Sequence, residues 1–367
     1  MFRRVRTWVN RLPLRNKLLT IFLLLGMLPI VLLAVTSYNL SYNILLNNTT
    51  ENLQAMVAKN NELTTLKLQR IEDSSLMLTV DEELNALINQ PTPPDKLDLL
   101  HGNLEIKRVL DQYFMSISGI FSCHLYTDYY MMVGNIADPT IPNSKPVMYV
   151  PYEEFLQSDL YKAASAANGK LVWYPTYQYE AMYGLEEYQK IDYNYPYLFS
   201  AVKQINCLYD TSGDRREPVM IVSFLPDFFT DIIQNETLEV EGTHYYVVSQ
   251  DGQVIYDYGN ELLTQPLPEA LLNAAQEESG STRLNYLNQD CLVVYDTLTY
   301  TGWKQIMVVP NVVYTRSLSK LPQILLLVSV LVAVVLSVLV CWITNSIVGN
   351  VKAVIAGMAR LGEGEFM

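Results

Sequence analysis

The sequence predicts an α+β protein in which two apolar helices flank two small sheet-containing modules. Three observations carry that reading. Uncharged apolar stretches lie near both ends of the chain, and a polar, helix-periodic run free of proline and glycine follows the first of them. Between them, β-branched and aromatic runs alternate with turn residues, the pattern of strands joined by short loops.

The first apolar stretch is "LLTIFLLLGMLPIVLLAV" at 18–35 and the second is "ILLLVSVLVAVVLSVLVCWI" at 324–343. Twenty helical residues at ~1.5 Å each span ~30 Å, the thickness of a bilayer's hydrocarbon core. The first run exceeds the apolar length of a cleaved signal peptide, and no A-x-A-like site follows it. It therefore reads as a retained helix over 18–38, in which Pro29 is tolerable. The second reads as a spanning helix over 321–343.

Charge sets the expected orientation. Residues 1–17 hold Arg3, Arg4, Arg6, Arg11, Arg15 and Lys17 and no acid. The stretch between the apolar runs has 17 basic and 36 acidic residues, a net −19, while the whole chain carries −13. Basic flanks stay inside, so both termini are expected in the cytoplasm and 39–320 outside. So acidic a region does not suit nucleic acid as a partner. Cys123, Cys207 and Cys291 fall in it; three cannot all pair, and Cys123, alternating with Phe121 and Leu125, reads as a buried thiol, with a Cys123–Cys207 bridge as the other possibility.

A long helix is expected over 41–89, on the order of 70 Å if unbroken, with Leu53, Met56, Val57, Leu63, Ile71 and Leu78 recurring at helical spacing. "QPTPPD" ends it, and a shorter helix follows near 104–114. A distal module (104–225) then shows strands at "GIFSCHLYT", "YYMMVG", "KLVWYPTY", "YLFSAVKQI" and "PVMIVSFL", with a helix near 152–166. "PDFFTDIIQ" reads as another helix. The proximal module (243–310) opens with "HYYVVSQDGQVIYDYG", two strands around Asp251-Gly252. A helix near 268–276 and the strands "STRLNYL", "DCLVVYDTL" and "WKQIMVVP" complete it.

This order, with the local matches "SQDGQVI" and "TGWKQIMVVP", resembles a double-Cache (dCache) sensor: tandem PAS-like modules on a long N-terminal helix between two transmembrane helices. Beyond the second apolar run, Val351, Val354, Met358 and Leu361 follow 3-4-3 spacing, an a/d seam, and Gly364–Phe366 ends it. Segment 344–367 thus resembles the first helix of a HAMP relay, with Asn350 where that family commonly has proline. The resemblance implies a homodimer, and an output domain beyond Met367. The front end is most similar to YesM-type sensor histidine kinases, which implies a sugar or other small polar ligand, or a solute-binding protein, as the external partner, and a response regulator inside. Chemoreceptors and diguanylate cyclases share such front ends; an anchored binding protein or hydrolase would not need the seam.

Catalytic signatures are not found. His101, His124 and His244 are far apart and form no H-E-x-x-H metal pattern; there is no phosphate loop and no G-x-S-x-G elbow. Glu153-Glu154 and Glu186-Glu187 read as solvated pairs. No cofactor or metal is expected. The conspicuous residues are aromatic: Tyr126, Tyr129, Tyr130, Trp173, Tyr174, Tyr177, Tyr179, Tyr183, Tyr193, Tyr195 and Tyr197 crowd the distal module. A flat apolar face with a polar tip suits capture of a small polar ligand. The resemblance puts the ligand in this module, and Tyr126, Tyr129, Trp173, Tyr177 and Tyr197 are the expected contacts, on a concave face around Trp173 and Tyr177. The amino-acid signature of some dCache sensors is not recognisable, so no amino-acid ligand is inferred.

Overall fold

The computed structural model describes residues 14–90, 92–134, 150, 152–183, 197–205, 217–233, 242–259, 261–315 and 321–362. Cys207, Tyr193, Tyr195, the basic residues up to Arg11 and the Gly364–Phe366 ending lie outside them. The chain divides into two compact units, 50–313 and the two ends, 1–49 with 314–367.

The unit 50–313 is a mixed helix-and-sheet body. The long helix α1 (Leu14–Thr79) supplies its first wall. Its buried stripe is Leu53, Val57, Asn60, Asn61, Thr64, Leu68, Ile71, Ser75 and Leu78. Leu63, expected inward, is 41 % exposed, and polar Asn60 and Thr64 take the inward positions instead. The helix does not run unbroken to residue 89. Asp81 accepts a hydrogen bond from Leu84 N–H (2.9 Å) and caps a new helix, α2 (Glu82–Ile88), its side-chain oxygen satisfying a first-turn donor that has no partner within the helix. Asp95 caps α3 (Lys96–Phe114) through Leu97 and Asp98 N–H at 2.8 Å each. That helix begins well before the expected 104.

The distal module follows: β1 (Ile120–Tyr126), β2 (Met131–Gly134), α4 (Tyr152–Phe155), α5 (Asp159–Ala166), β3 (Val172–Gln178), α6 (Tyr179–Met182), β4 (Tyr197–Gln204) and β5 (Val219–Phe224). Its strands lie in the order β2-β1-β5-β4-β3, every pair antiparallel. The expected helix after Pro226 tightens to a 3₁₀ turn, Pro226–Phe229, in which the adjacent Phe228 and Phe229 both bury.

The proximal module comprises β6 (His244–Val248), β7 (Val254–Asp257), α7 (Glu269–Ala274), β8 (Ser279–Tyr286), β9 (Gln289–Thr297) and β10 (Lys304–Pro310), and the short helix α8 (Asn311–Thr315) follows in sequence. Its order, β7-β6-β10-β9-β8, is the distal order repeated. Gly252, in the left-handed region at φ 88°, turns the β6–β7 hairpin where Asp251-Gly252 predicts it. α7 covers one sheet face, over Tyr246, Val248, Val293, Ile306 and Val308.

In the other unit, the first part of α1 and α9 (Leu321–Gly362) are long and apolar enough to cross a membrane by length and composition. Gly26 leaves room for Leu336, whose Cδ1 would lie 3.1 Å from a Cβ added there. Thr36, Ser329 and Ser337 donate to carbonyls three or four residues back (2.7–3.1 Å), which satisfies their hydroxyls without water. Val351, Val354 and Met358 are exposed along α9; the side chain of Leu361 lies outside the described set.

Candidate functional site

The distal sheet presents two faces of different chemistry. Ser122, His124 and Tyr126 of β1, Val219, Ile221 and Ser223 of β5, and Leu198, Ser200 and Val202 of β4 share one face by alternation and register. α4, α5 and α6 cover it, through Tyr152, Phe155, Leu160, Ala164 and Tyr179. Tyr126 stacks on Phe155 with ring centroids 4.0 Å apart, and Tyr152 lies 6.5 Å away.

A row of hydroxyls crosses this face from β1 to β3. Ser122 stands opposite Ser223, and Ser223 opposite Ser200. The Tyr177 hydroxyl and Ser200 Oγ are 2.8 Å apart, and Ser200 and Ser223 Oγ 2.9 Å. Ser122 Oγ is buried and has no hydrogen-bond partner among the described residues. Burial pushes the Tyr177 phenol up to about 12, against the lowering effect of its serine neighbours. Ser200 therefore has no base beside it at neutral pH, and the row is built to exchange hydrogen bonds rather than to attack. Burial also depresses the His124 imidazole to about 4, which keeps it neutral.

Of the five expected contacts, Tyr126 and Tyr177 come together here. Tyr129 sits half-buried in the β1–β2 turn, its N–H 3.2 Å from Thr127 Oγ1. Tyr197 is 38 % exposed at the start of β4. Trp173 is on the opposite face, packed on Phe199, Phe224 and Trp303 at 6.0–6.5 Å between centroids, so the expected single face around Trp173 and Tyr177 does not form. The reason is a register shift between Tyr174 and Tyr177, the interval that holds Pro175. It keeps Tyr174 and Tyr177 edge to face at 5.8 Å and leaves Trp173 behind. The signal was present: proline inside a strand run marks an edge strand or a bulge, and β3 is both. The serine row was missed because single serines in strands look like surface positions until register aligns them. Cys123, on the face away from the row, is a buried free thiol whose pKa burial raises. Among the described residues no cluster of His, Cys, Asp or Glu could hold a metal ion.

No family model matches this chain, and no curated protein matches it. Among solved structures it is similar to the ligand-binding domain of the Campylobacter jejuni chemoreceptor Tlp3 in complex with L-valine, at 12 % identity and a TM-score of 0.47, over 75 % of this chain and 97 % of that one. It is also similar to the ligand-binding domain of the Pseudomonas aeruginosa PAO1 amino acid chemoreceptor PctB in complex with L-Arg (13 % identity, TM-score 0.45, 72 % and 96 % coverage). A third is that of the Pseudomonas fluorescens chemoreceptor CtaA in complex with L-isoleucine (12 %, 0.46, 76 % and 98 %).

Proposed function

We propose that the chain is the sensing part of a membrane receptor of the double-Cache kind. Residues 39–320 lie outside the cell and bind a small polar solute, such as a sugar, on the helix-covered face of the distal module. α9 relays the event through a HAMP helix, in a parallel dimer, to an output domain, a YesM-type histidine kinase acting on a response regulator. The observation that carries the reading is the row Ser122–Ser223–Ser200–Tyr177 on the helix-covered face that also carries Tyr126. A buried hydroxyl without a partner costs about 1–3 kcal/mol, and a polar ligand entering on this face would offset that cost. Tyr126 and Tyr177 supply the contact surface, and Tyr129 and Tyr197 sit at its margins.

The test is a thermal-shift screen of the full chain in lipid nanodiscs against sugars, amines and organic acids. A ligand at a hundredfold excess over its Kd should stabilise the chain by ~2.7 kcal/mol. Ser200→Ala should remove most of that gain, and Trp173→Phe should keep it. A ligand that stabilises Ser200→Ala as fully as the parent binds elsewhere, and the reading fails.

A further inference from the structure

A second recess lies between the two modules and takes in the tryptophan that the distal face excludes. It is a cleft of about 530 Å³, walled by β3 on one side and by the β6–β7 and β9–β10 turns on the other. Trp173, Tyr174, Asp251, Gln253, Tyr300 and Trp303 line it. Direct bonds hold its walls together. Thr176 Oγ1 donates to the Ile255 carbonyl at 2.6 Å, and Gln253 Nε2 donates to the Thr176 carbonyl at 2.9 Å. Trp173 and Trp303 meet edge to face at 6.1 Å. Gly302, at φ 72°, lets Gln250 lie across the β9–β10 turn and donate to the Thr301 carbonyl at 3.2 Å; a Cβ at that position would collide with the Gln250 amide.

Within its lining the charge is of one sign: the carboxylate of Asp251 and neither lysine nor arginine. The Tyr300 hydroxyl donates to the Glu72 carboxylate of α1, which the buried Lys203 offsets outside the lining. The Tyr174 phenol is raised first by burial and then by the charges of Asp159 and Asp251. Aromatic rings carry negative potential on their faces, and a cleft lined by aromatic side chains and a carboxylate suits an ammonium group. An anion would meet Asp251 with no cation to offset it. Ser249 Oγ donates to Oδ1 of Asp251, which holds the carboxylate in place at the rim and leaves its second oxygen for a ligand.

We propose that this inter-module cleft is a second ligand site, one for a small organic ammonium ion. Its occupant would touch both modules and, through Tyr300 and Glu72, the long helix, so binding here bears on the relation between them whatever the distal face binds.

The experiment titrates the full chain in nanodiscs with choline chloride at constant chloride, reading tryptophan fluorescence, since Trp173 and Trp303 both line the cleft. A saturable change below ~10 mM is expected, a dissociation constant in the millimolar range or tighter. Asp251→Asn, which keeps the turn's shape, should weaken it ~tenfold. Gln250→Lys, which adds a positive charge at the rim, should do the same, each equivalent to about 1.4 kcal/mol. Ser200→Ala should leave it unchanged, which separates this site from the distal one. No saturable change with choline, binding in both charge variants as tight as in the parent, or saturation by glucose with none by choline would each overturn the proposal.

Discussion

In the distal module the buried serines of the sheet lie on the face covered by α4, α5 and α6, and the buried Lys203 lies on the other face. In the proximal module Gln305 and the Tyr245 hydroxyl lie on the face turned toward α1, and the buried Asp257 lies beside Tyr246 on the α7-covered face. The two sheets share one strand order, so this inversion is a matter of side chains and not of topology. Where the distal face carries Ser122, Ser223 and Ser200 in register across β1, β5 and β4, the α7-covered proximal face carries Tyr246, Ile306 and Tyr295 in register across β6, β10 and β9. The α1-facing side of the proximal sheet instead holds a closed ring. Asn60 Nδ2 donates to the Tyr245 hydroxyl at 3.3 Å, that hydroxyl donates to Gln305 Oε1, and Gln305 Nε2 donates to Thr64 Oγ1 at 3.0 Å. Thr64 Oγ1 closes it on the Asn60 carbonyl at 2.7 Å. Asn61 adds a bond to Asp296 at 2.6 Å.

The difference separates two uses of buried polarity. A ring with its hydroxyls and side-chain amides paired fixes one register of helix on sheet, because a shift of α1 by one residue breaks several bonds together. A row with a hydroxyl left over has hydrogen-bonding capacity to offer. The ring makes the proximal module a fixed partner of α1, although Asn61 Oδ1 beside it is also buried without a partner among the described residues, and under the proposed function the distal row is the receptive one.

Breaking the ring should give the largest effect. Gln305→Ala removes a buried amide and leaves Tyr245 and Thr64 without that partner, a loss of about 3–5 kcal/mol from cavity and unpaired groups together. For a unit of this size that corresponds to a fall in Tm of roughly 2–4 °C per kcal/mol, readable by thermal unfolding of the full chain. A fall no larger than that of an exposed control such as Gln276→Ala would show that the ring does not lock the helix.

Much of this fold was legible in sequence because its strands obey local rules: alternation, turn residues and the Asp251-Gly252 hairpin. The caps at Asp81 and Asp95 were legible in principle, since each aspartate precedes a helical run, but the prolines of "QPTPPD" drew the boundary to themselves. The two polar arrangements could not be read. Asn60, Thr64 and Gln305 are far apart in the chain and look like solvent positions until packing brings them inside. The site was half legible: aromatic residues marked the module, while the register shift between Tyr174 and Tyr177 decided which of them share a face.

A pH titration sharpens the comparison from the distal side. His124 is buried there, and its imidazole is depressed to about 4 from an ordinary 6.5. A base with a lowered pKa binds fewer protons folded than unfolded between those values, so stability rises with pH across that window. The contribution is complete above pH 6.5 and is lost progressively as the pH falls toward 4, by about 3 kcal/mol in all. His124→Gln should flatten the fall in Tm between pH 6.5 and 4. An unchanged slope would place the acid sensitivity in other groups.

The smallest effect is the most diagnostic, because its sign differs between two serines that face each other. Ser223 Oγ bonds Ser200 at 2.9 Å, so Ser223→Ala should destabilise the free protein by about 1 kcal/mol, the net value of a made hydrogen bond. Ser122 Oγ is buried without a partner among the described residues, and Ser122→Ala removes a desolvated hydroxyl at almost no cost in packing. It should therefore stabilise the free protein, by about 1 kcal/mol, the low end of the penalty for an unmade bond. If that hydroxyl is kept for a ligand, the same change should weaken ligand binding, a gain in stability set against function. Paired measurements of Tm without ligand and of ligand affinity decide it. Both variants losing stability alike would make Ser122 an ordinary structural serine, and the asymmetry between the two modules would then rest on the α1 ring alone.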